Sequence, residues 1–197
     1  MSDINTTTTY HMSSNPQIYE PSRSNTFEFI LNEDLNRMLL AGTDKSVDPT
    51  VDDYLDNITE TIRVAVVESS VPHFKIDTIE IRRGNAKVLF AGLPSFESGE
   101  LKLNDFVGAR TKDALMAWQA KAYDVTRDVV QLASNYKYDC TLIEYNPDMT
   151  YVVRSWRLIG CWISDIREDN FNHEENNKRS LTATIQYDRA IPDWTNA

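Results

Sequence analysis

Apolar and polar positions alternate with period two over most of the chain. Residues 26–31 (TFEFIL) are short, aromatic and β-prone, which predicts a strand. From Thr59 onward, Ile62, Val64 and Val66 alternate with Thr61, Arg63 and Ala65 as far as Pro72, which predicts a half-buried strand. Residues 78–81 and 87–90 flank Arg82-Arg83-Gly84-Asn85-Ala86, the pattern of a hairpin with a glycine turn. Residues 100–106 (ELKLNDF) alternate again, with Leu101, Leu103 and Asp105 in one register. Residues 138–145, 151–166 and 180–187 read as three further strands, with Asn146-Pro147-Asp148 as the turn between the first two. Gly160 inside the long strand pattern predicts a bulge or a close backbone approach.

Two stretches follow the helical period. In residues 111–125, Leu115, Trp118 and Ala122 fall at i, i+3 and i+7, with Met116 and Ala120 near that stripe and Thr111 placed to cap it. This stripe predicts packing of the helix on the sheets. Asn32 is placed to cap a shorter helix over 33–41, with Glu33 and Asp34 in its first turn and Gly42 as its stop. The predicted class is mainly β: roughly seven or eight strands in a two-sheet β-barrel or sandwich, with one flanking α-helix.

Three segments lack periodicity. Residues 1–24 are Thr-, Ser- and Asn-rich with Pro16 and Pro21, and read as a flexible N-terminal arm that orders, if at all, against a neighbour. Residues 25–197 read as one domain, with an inserted acidic helix-loop segment at about 32–59. Its Asp44, Asp48, Asp52, Asp53 and Asp56 lack the glycine and closing glutamate of a calcium loop, so they read as a solvated face. Residues 168–178 form a polar, Asn-rich loop.

Composition narrows the function. The 197 residues are 41% hydrophobic and 25% charged, ordinary for a globular domain. No apolar run is long enough to span a bilayer, and residues 1–25 show no secretory pattern. Thirty acids against twenty bases leave a net charge of −10, the wrong sign for a groove reader of nucleic acid. Cys140 and Cys161 cannot make a structural zinc site alone, and His11, His73 and His173 are scattered. The cysteines read as small buried residues of a reducing compartment, with a disulfide open to them only if their strands pair. No nucleophile elbow, phosphate loop, dinucleotide fingerprint or metalloprotease spacing occurs. A carboxylate pair such as Asp105 with Glu100 is not singled out by anything around it. The expectation is therefore no catalytic residues, no metal and no cofactor.

The order of elements carries one resemblance. RSNTFEFIL (23–31), RVAVVESSVP (63–72), IEIRRGNAKVLFAG (79–92), ELKLNDF, KDALMAWQAKAYDV (112–125), RLIGCWISDI (157–166) and TATIQYDRAI (182–191) follow one another. From Arg23 to about Trp194 the chain resembles the tail tube protein of contractile-tailed bacteriophages. The ring protein of type VI secretion shares that fold. The resemblance implies a small two-sheet β-barrel with one helix, six copies to a ring, and rings stacked into a hollow tube. It implies self-contacts within and between rings, an outer tail sheath protein, and a tape-measure protein and DNA passing through the lumen without specific binding. It implies a virion tail assembled in the host cytoplasm, with no membrane anchor. The long arm and the 32–59 insertion depart from the simple pattern. They leave open a specialised end-ring, baseplate or adaptor protein, or a secretion-system ring.

The resemblance also assigns sites. The hairpin tip Arg82, Arg83, Gly84 and Asn85, with Pro94 and Phe96 in a loop over 94–99, would contact the adjacent ring. Glu80, Glu100 and Asp105 are the acidic candidates for the lumen, where a negative field would keep phosphate from sticking. Leu115, Trp118 and Ala122 would hold the helix to the barrel. An adaptor that docks one partner, or an enzyme with an unmarked carboxylate site, are the rival classes; they predict a small fixed oligomer and a deep pocket, respectively.

Overall fold

A computed structural model describes residues 23–32, 35, 58–106, 111–169 and 178–193. In chain order the elements are β1 (Phe27–Leu31), α1 (Ile58–Ala65), β2 (Val66–Ser69), β3 (Phe74–Arg83), β4 (Ala86–Phe96) and β5 (Gly99–Asn104). Then follow α2 (Thr111–Ala122), β6 (Tyr123–Asp124), β7 (Val129–Val130), α3 (Ala133–Tyr136), β8 (Tyr138–Tyr145), β9 (Val152–Glu168), β10 (Ser180–Gln186) and β11 (Arg189–Asp193). The arm, the short helix of 33–41 apart from Leu35, the acidic stretch and most of the Asn-rich loop lie outside the described residues.

Strand β9 is 17 residues long and organises the fold. Its first half pairs antiparallel with β8 on one side and β11 on the other, and β8 pairs with β1. Its second half pairs with β10, which continues to β5 and β2. One strand thus belongs to two sheets and turns the corner between them. The turn sits at Gly160, whose φ is +69°. The positive φ calls for glycine, and a Cβ there would lie 2.5 Å from Oδ2 of Asp188 and have to push that carboxylate aside. The predicted close approach at Gly160 is present.

The core fills the space between the sheets. Phe29 and Leu31 of β1, Leu101 and Leu103 of β5, Leu158, Cys161 and Ile163 of β9, and Leu181, Ala183 and Ile185 of β10 are buried. Alternation puts every second residue of these strands inward, so the period read in the sequence is the period of burial. Each large aliphatic side chain removed from water contributes about 1.5–3 kcal/mol. Helix α2 closes the core with Ala114, Leu115 and Trp118, and α1 adds Ile62 and Ala65. The Trp118 indole donates to the Tyr136 carbonyl at 3.0 Å, so its one polar atom is satisfied.

Four sequence expectations are corrected. The strand expected from Thr59 to Pro72 is helix α1 followed by the four-residue β2. Ile62 and Ala65 are buried three residues apart while Val64 is 67% exposed, which is helical and not alternating burial. Helix α2 stops at Ala122, three residues short of Val125. There the Asp124 carboxylate accepts from the amides of Thr126 (2.9 Å) and Arg127 (3.2 Å), a local turn that competes with further helix. Met116 and Ala120 are exposed rather than beside the core stripe, and Ala122 is only half-buried. Pro94 and Phe96 lie in strand β4, not in a loop. The class itself is mainly β: one seven-stranded path that turns at β9, two separate two-stranded sheets (β3–β4 and β6–β7), and flanking helices. The strand path runs from β1 to β2 and does not close into a barrel among the described residues.

Candidate assembly surfaces

Three surfaces stand out. The first is the β3–β4 hairpin, which forms its own two-stranded sheet. Every residue of β3 is exposed. Beyond its base, Ile79 pairs with Phe90 and Ile81 with Val88, placing four apolar side chains on one face. Ile79, Ile81 and Phe90 are 53%, 48% and 45% exposed, so this face is uncovered in the single chain. The opposite face is mixed: Thr78, Glu80, Arg82 and Lys87 share it with Ala91 and the exposed Leu89, and Glu80 is paired to Lys87 at 2.9 Å and to Arg82 at 4.0 Å. A two-stranded ribbon that exposes this much apolar surface is at best marginal alone in water.

The hairpin is aimed by its base. The rings of Phe74 and Phe96 lie 5.6 Å apart, and Phe96 meets Tyr187 edge-on at 6.4 Å. Tyr187 belongs to the core, and burial raises its phenol above its ordinary value. Between base and tip the register slips, so that Gly92 and Leu93 face Asp77 alone. A Cβ on Gly92 would sit 2.8 Å from the Asp77 carbonyl oxygen, so the bulge needs glycine at this point.

The second surface is a groove of about 700 Å³ between the outer edges of β1 and β2. Phe27, Val67, Val71, Leu142 and Trp156 line it, with Arg23, Glu68, Glu144 and Arg154 around them. Next to Phe27 on β1, Glu28 takes a hydrogen bond from Arg63 at 2.6 Å and from the Tyr145 hydroxyl at 3.0 Å. The Glu28 hydrogen bond raises the Arg63 guanidinium; burial first, then Glu28, raises the Tyr145 phenol. Among the described residues both strands end the hydrogen-bonded path, each with one edge unpaired.

The third surface is the outer face of the second sheet. On β5, Glu100 and Lys102 point away from the buried Leu101 and Leu103. They stand opposite Thr184 and Thr182 of β10.

The expected site residues distribute unevenly over these surfaces. Arg82, Arg83, Gly84 and Asn85 form the hairpin tip; Pro94 and Phe96 lie at its base, Phe96 against the core. Glu80 belongs to the hairpin, Glu100 to the outer face of β5, and Asp105 follows β5, half-buried, 3.7 Å from Arg179. The three carboxylates are not brought together. Leu115 and Trp118 are buried under the sheets. The apolar hairpin face of Ile79, Ile81, Val88 and Phe90 was not singled out in the sequence. Its signal is the same alternation that marks a buried strand, and only the fold reveals that these side chains stay exposed among the described residues.

No protein-family model matches the chain, and no curated protein matches it. Solved structures do. A chain of the sheath–tube complex of the extracellular contractile injection system PVC, in its extended state, matches over 92% of this chain and 97% of its own, with TM-score 0.62 and 15% identity. A chain of the tube-terminating cap of the anti-feeding prophage AFP matches with TM-score 0.60 and 18% identity, over 88% of this chain and 91% of its own. A chain of the PVC sheath/tube terminator matches with TM-score 0.59 and 17% identity, over 88% and 96%. The chain therefore has a tail-tube-like fold, shared with components of contractile injection systems.

Proposed function

We propose that this chain is a non-catalytic structural subunit of the inner tube of a contractile tail, assembling into rings that stack around a lumen. The uncovered apolar face of the β3–β4 hairpin is the observation that carries this reading. A single subunit that leaves Ile79, Ile81 and Phe90 in water is completed by another copy. The shared fold supports the same reading, because its neighbours are chains of sheath–tube and tube-terminator assemblies.

Six copies per ring, an enclosing sheath, and a tape-measure protein and DNA in the lumen are the finer parts of this proposal. In it the hairpin seats on the adjacent ring, with Arg82 and Arg83 at its tip meeting an acidic subunit. Glu100 is the lumen candidate that lies on an outward sheet face, whereas Glu80 and Asp105 are engaged by Lys87 and Arg179. A second reading, a terminal ring that caps the tube, is favoured by the near-equal similarity to the cap and terminator chains.

Sedimentation of wild type beside an Ile79→Lys/Phe90→Lys variant tests the proposal. Wild type is expected to form large assemblies as concentration rises. The variant is expected to unfold at an unchanged temperature yet stop at single rings or subunits. Equal assembly of the two would remove the hairpin from the interface.

A further inference from the structure

We propose that residues 17–22 (QIYEPS) of the chain's own N-terminal arm add a strand to the outer edge of β1 and cover the apolar groove between β1 and β2. This stands on the fold and not on the assembly reading. The groove of about 700 Å³ lies between the two ends of the strand path, and among the described residues neither β1 nor β2 has a partner on its outer side. Phe27 of β1, Val67 of β2 and Val71 just after β2 line it, with Leu142 and Trp156. Val67 and Val71 are 45% and 61% exposed, so part of this lining meets water. Beside such a lining, an unpaired edge lets an extended segment gain main-chain hydrogen bonds and apolar burial together.

The path of the chain just before β1 selects the occupant. Thr26 is tied to β8: its hydroxyl donates to the Tyr145 carbonyl at 2.9 Å, and its carbonyl accepts from the Tyr145 amide at 2.8 Å. The same hydroxyl reaches the Arg23 carbonyl at 3.1 Å, across a turn at Ser24 and Asn25. β8 fills one side of β1, so a chain reversed by this turn returns along the other side. Arg23 and Ser24 themselves line the groove, which puts the residues that precede them at its mouth.

The sequence of the arm fits this path. β1 has five residues, about 17 Å of extended chain, and residues 18–22 supply the same length counted back from Arg23. Ile18 and Tyr19 are the first large apolar residues met in that direction, and both favour strands. Pro21 has no amide to give, which an edge strand tolerates because only alternate amides face the neighbour. Docked in this way, the arm shields the edge of β1. Subunits are then kept from pairing there at random and are left to meet through their other surfaces.

The test is hydrogen exchange of the full chain, read by mass spectrometry at two widely separated protein concentrations. Peptides spanning 17–22 are expected to exchange at least about tenfold more slowly than peptides spanning 2–12, equally at both concentrations. Val67→Asp, at an exposed position of the groove, should return 17–22 to fast exchange while β9 and β10 stay protected. Ile18→Asp should do the same from the side of the arm. Should a variant fail to fold, the wild-type rates still decide. Three results would overturn the proposal: exchange of 17–22 as fast as that of 2–12, slow exchange that is lost on dilution and so belongs to the arm of a second copy, or slow exchange that survives both substitutions.

Discussion

Trp118 shows how much one side chain holds at the residue scale. It is 1% exposed, lies between α2 and the sheets, and spends its single donor on Tyr136. Trp118→Ala is expected to cost about 3–5 kcal/mol, read as a lowered urea midpoint with little change in slope. Gly160 makes a different prediction. Gly160→Ala forces a side chain into the left-handed region and against the Asp188 carboxylate. Loss of about 1–2 kcal/mol is expected from the backbone alone. Adding Asp188→Ala should recover only the part due to the clash, which thermal unfolding of the two variants separates. Both residues were legible in the sequence, Trp118 from its helical stripe and Gly160 as a glycine interrupting alternation. Gly92 was not, because the Asp77 carbonyl it accommodates lies on the partner strand.

Elements were legible where one face alone is buried. β1, β5, β8, β9 and β10 each set a core face against a polar face, so period two in sequence matched period two in burial. α1 was misread because Ile62, Val64 and Val66 satisfy alternation while Ile62 and Ala65 satisfy the helical period, and eight residues are too few to separate them. Packing against β1 decides it, with Arg63 reaching Glu28. An ionic cluster ties the other helix to the strand ends. Lys112 of α2 lies 2.7 Å from Glu168 of β9, and Arg179, before β10, pairs with both Glu168 and Asp105. The Lys112 hydrogen bond first, and Arg179 after it, hold the Glu168 carboxyl below its ordinary 4.5. A carboxylate with a lowered folded value adds stability above its unfolded value and loses it as pH falls through the folded one. Acid unfolding should therefore have a component below about pH 4.5 that Glu168→Gln flattens. An unchanged acid limb in that variant would take Glu168 out of the clasp.

At the scale of the whole molecule, a net charge of −10 and an uncovered apolar hairpin pull in opposite directions. Like charge keeps subunits apart, and the hairpin face draws them together. Assembly is therefore expected to strengthen with added salt, which light scattering across a salt series would record. Weakening with salt would instead point to the Arg82–Arg83 tip as the dominant contact. The sequence could not display this balance, because exposure of a hairpin face is a property of the fold. Negative-stain electron microscopy of the purified chain over a concentration series tests the central claim most directly. Hollow rings that stack into tubes as concentration rises are the predicted result. Monomers or dimers at every concentration, with the hairpin intact, would contradict it.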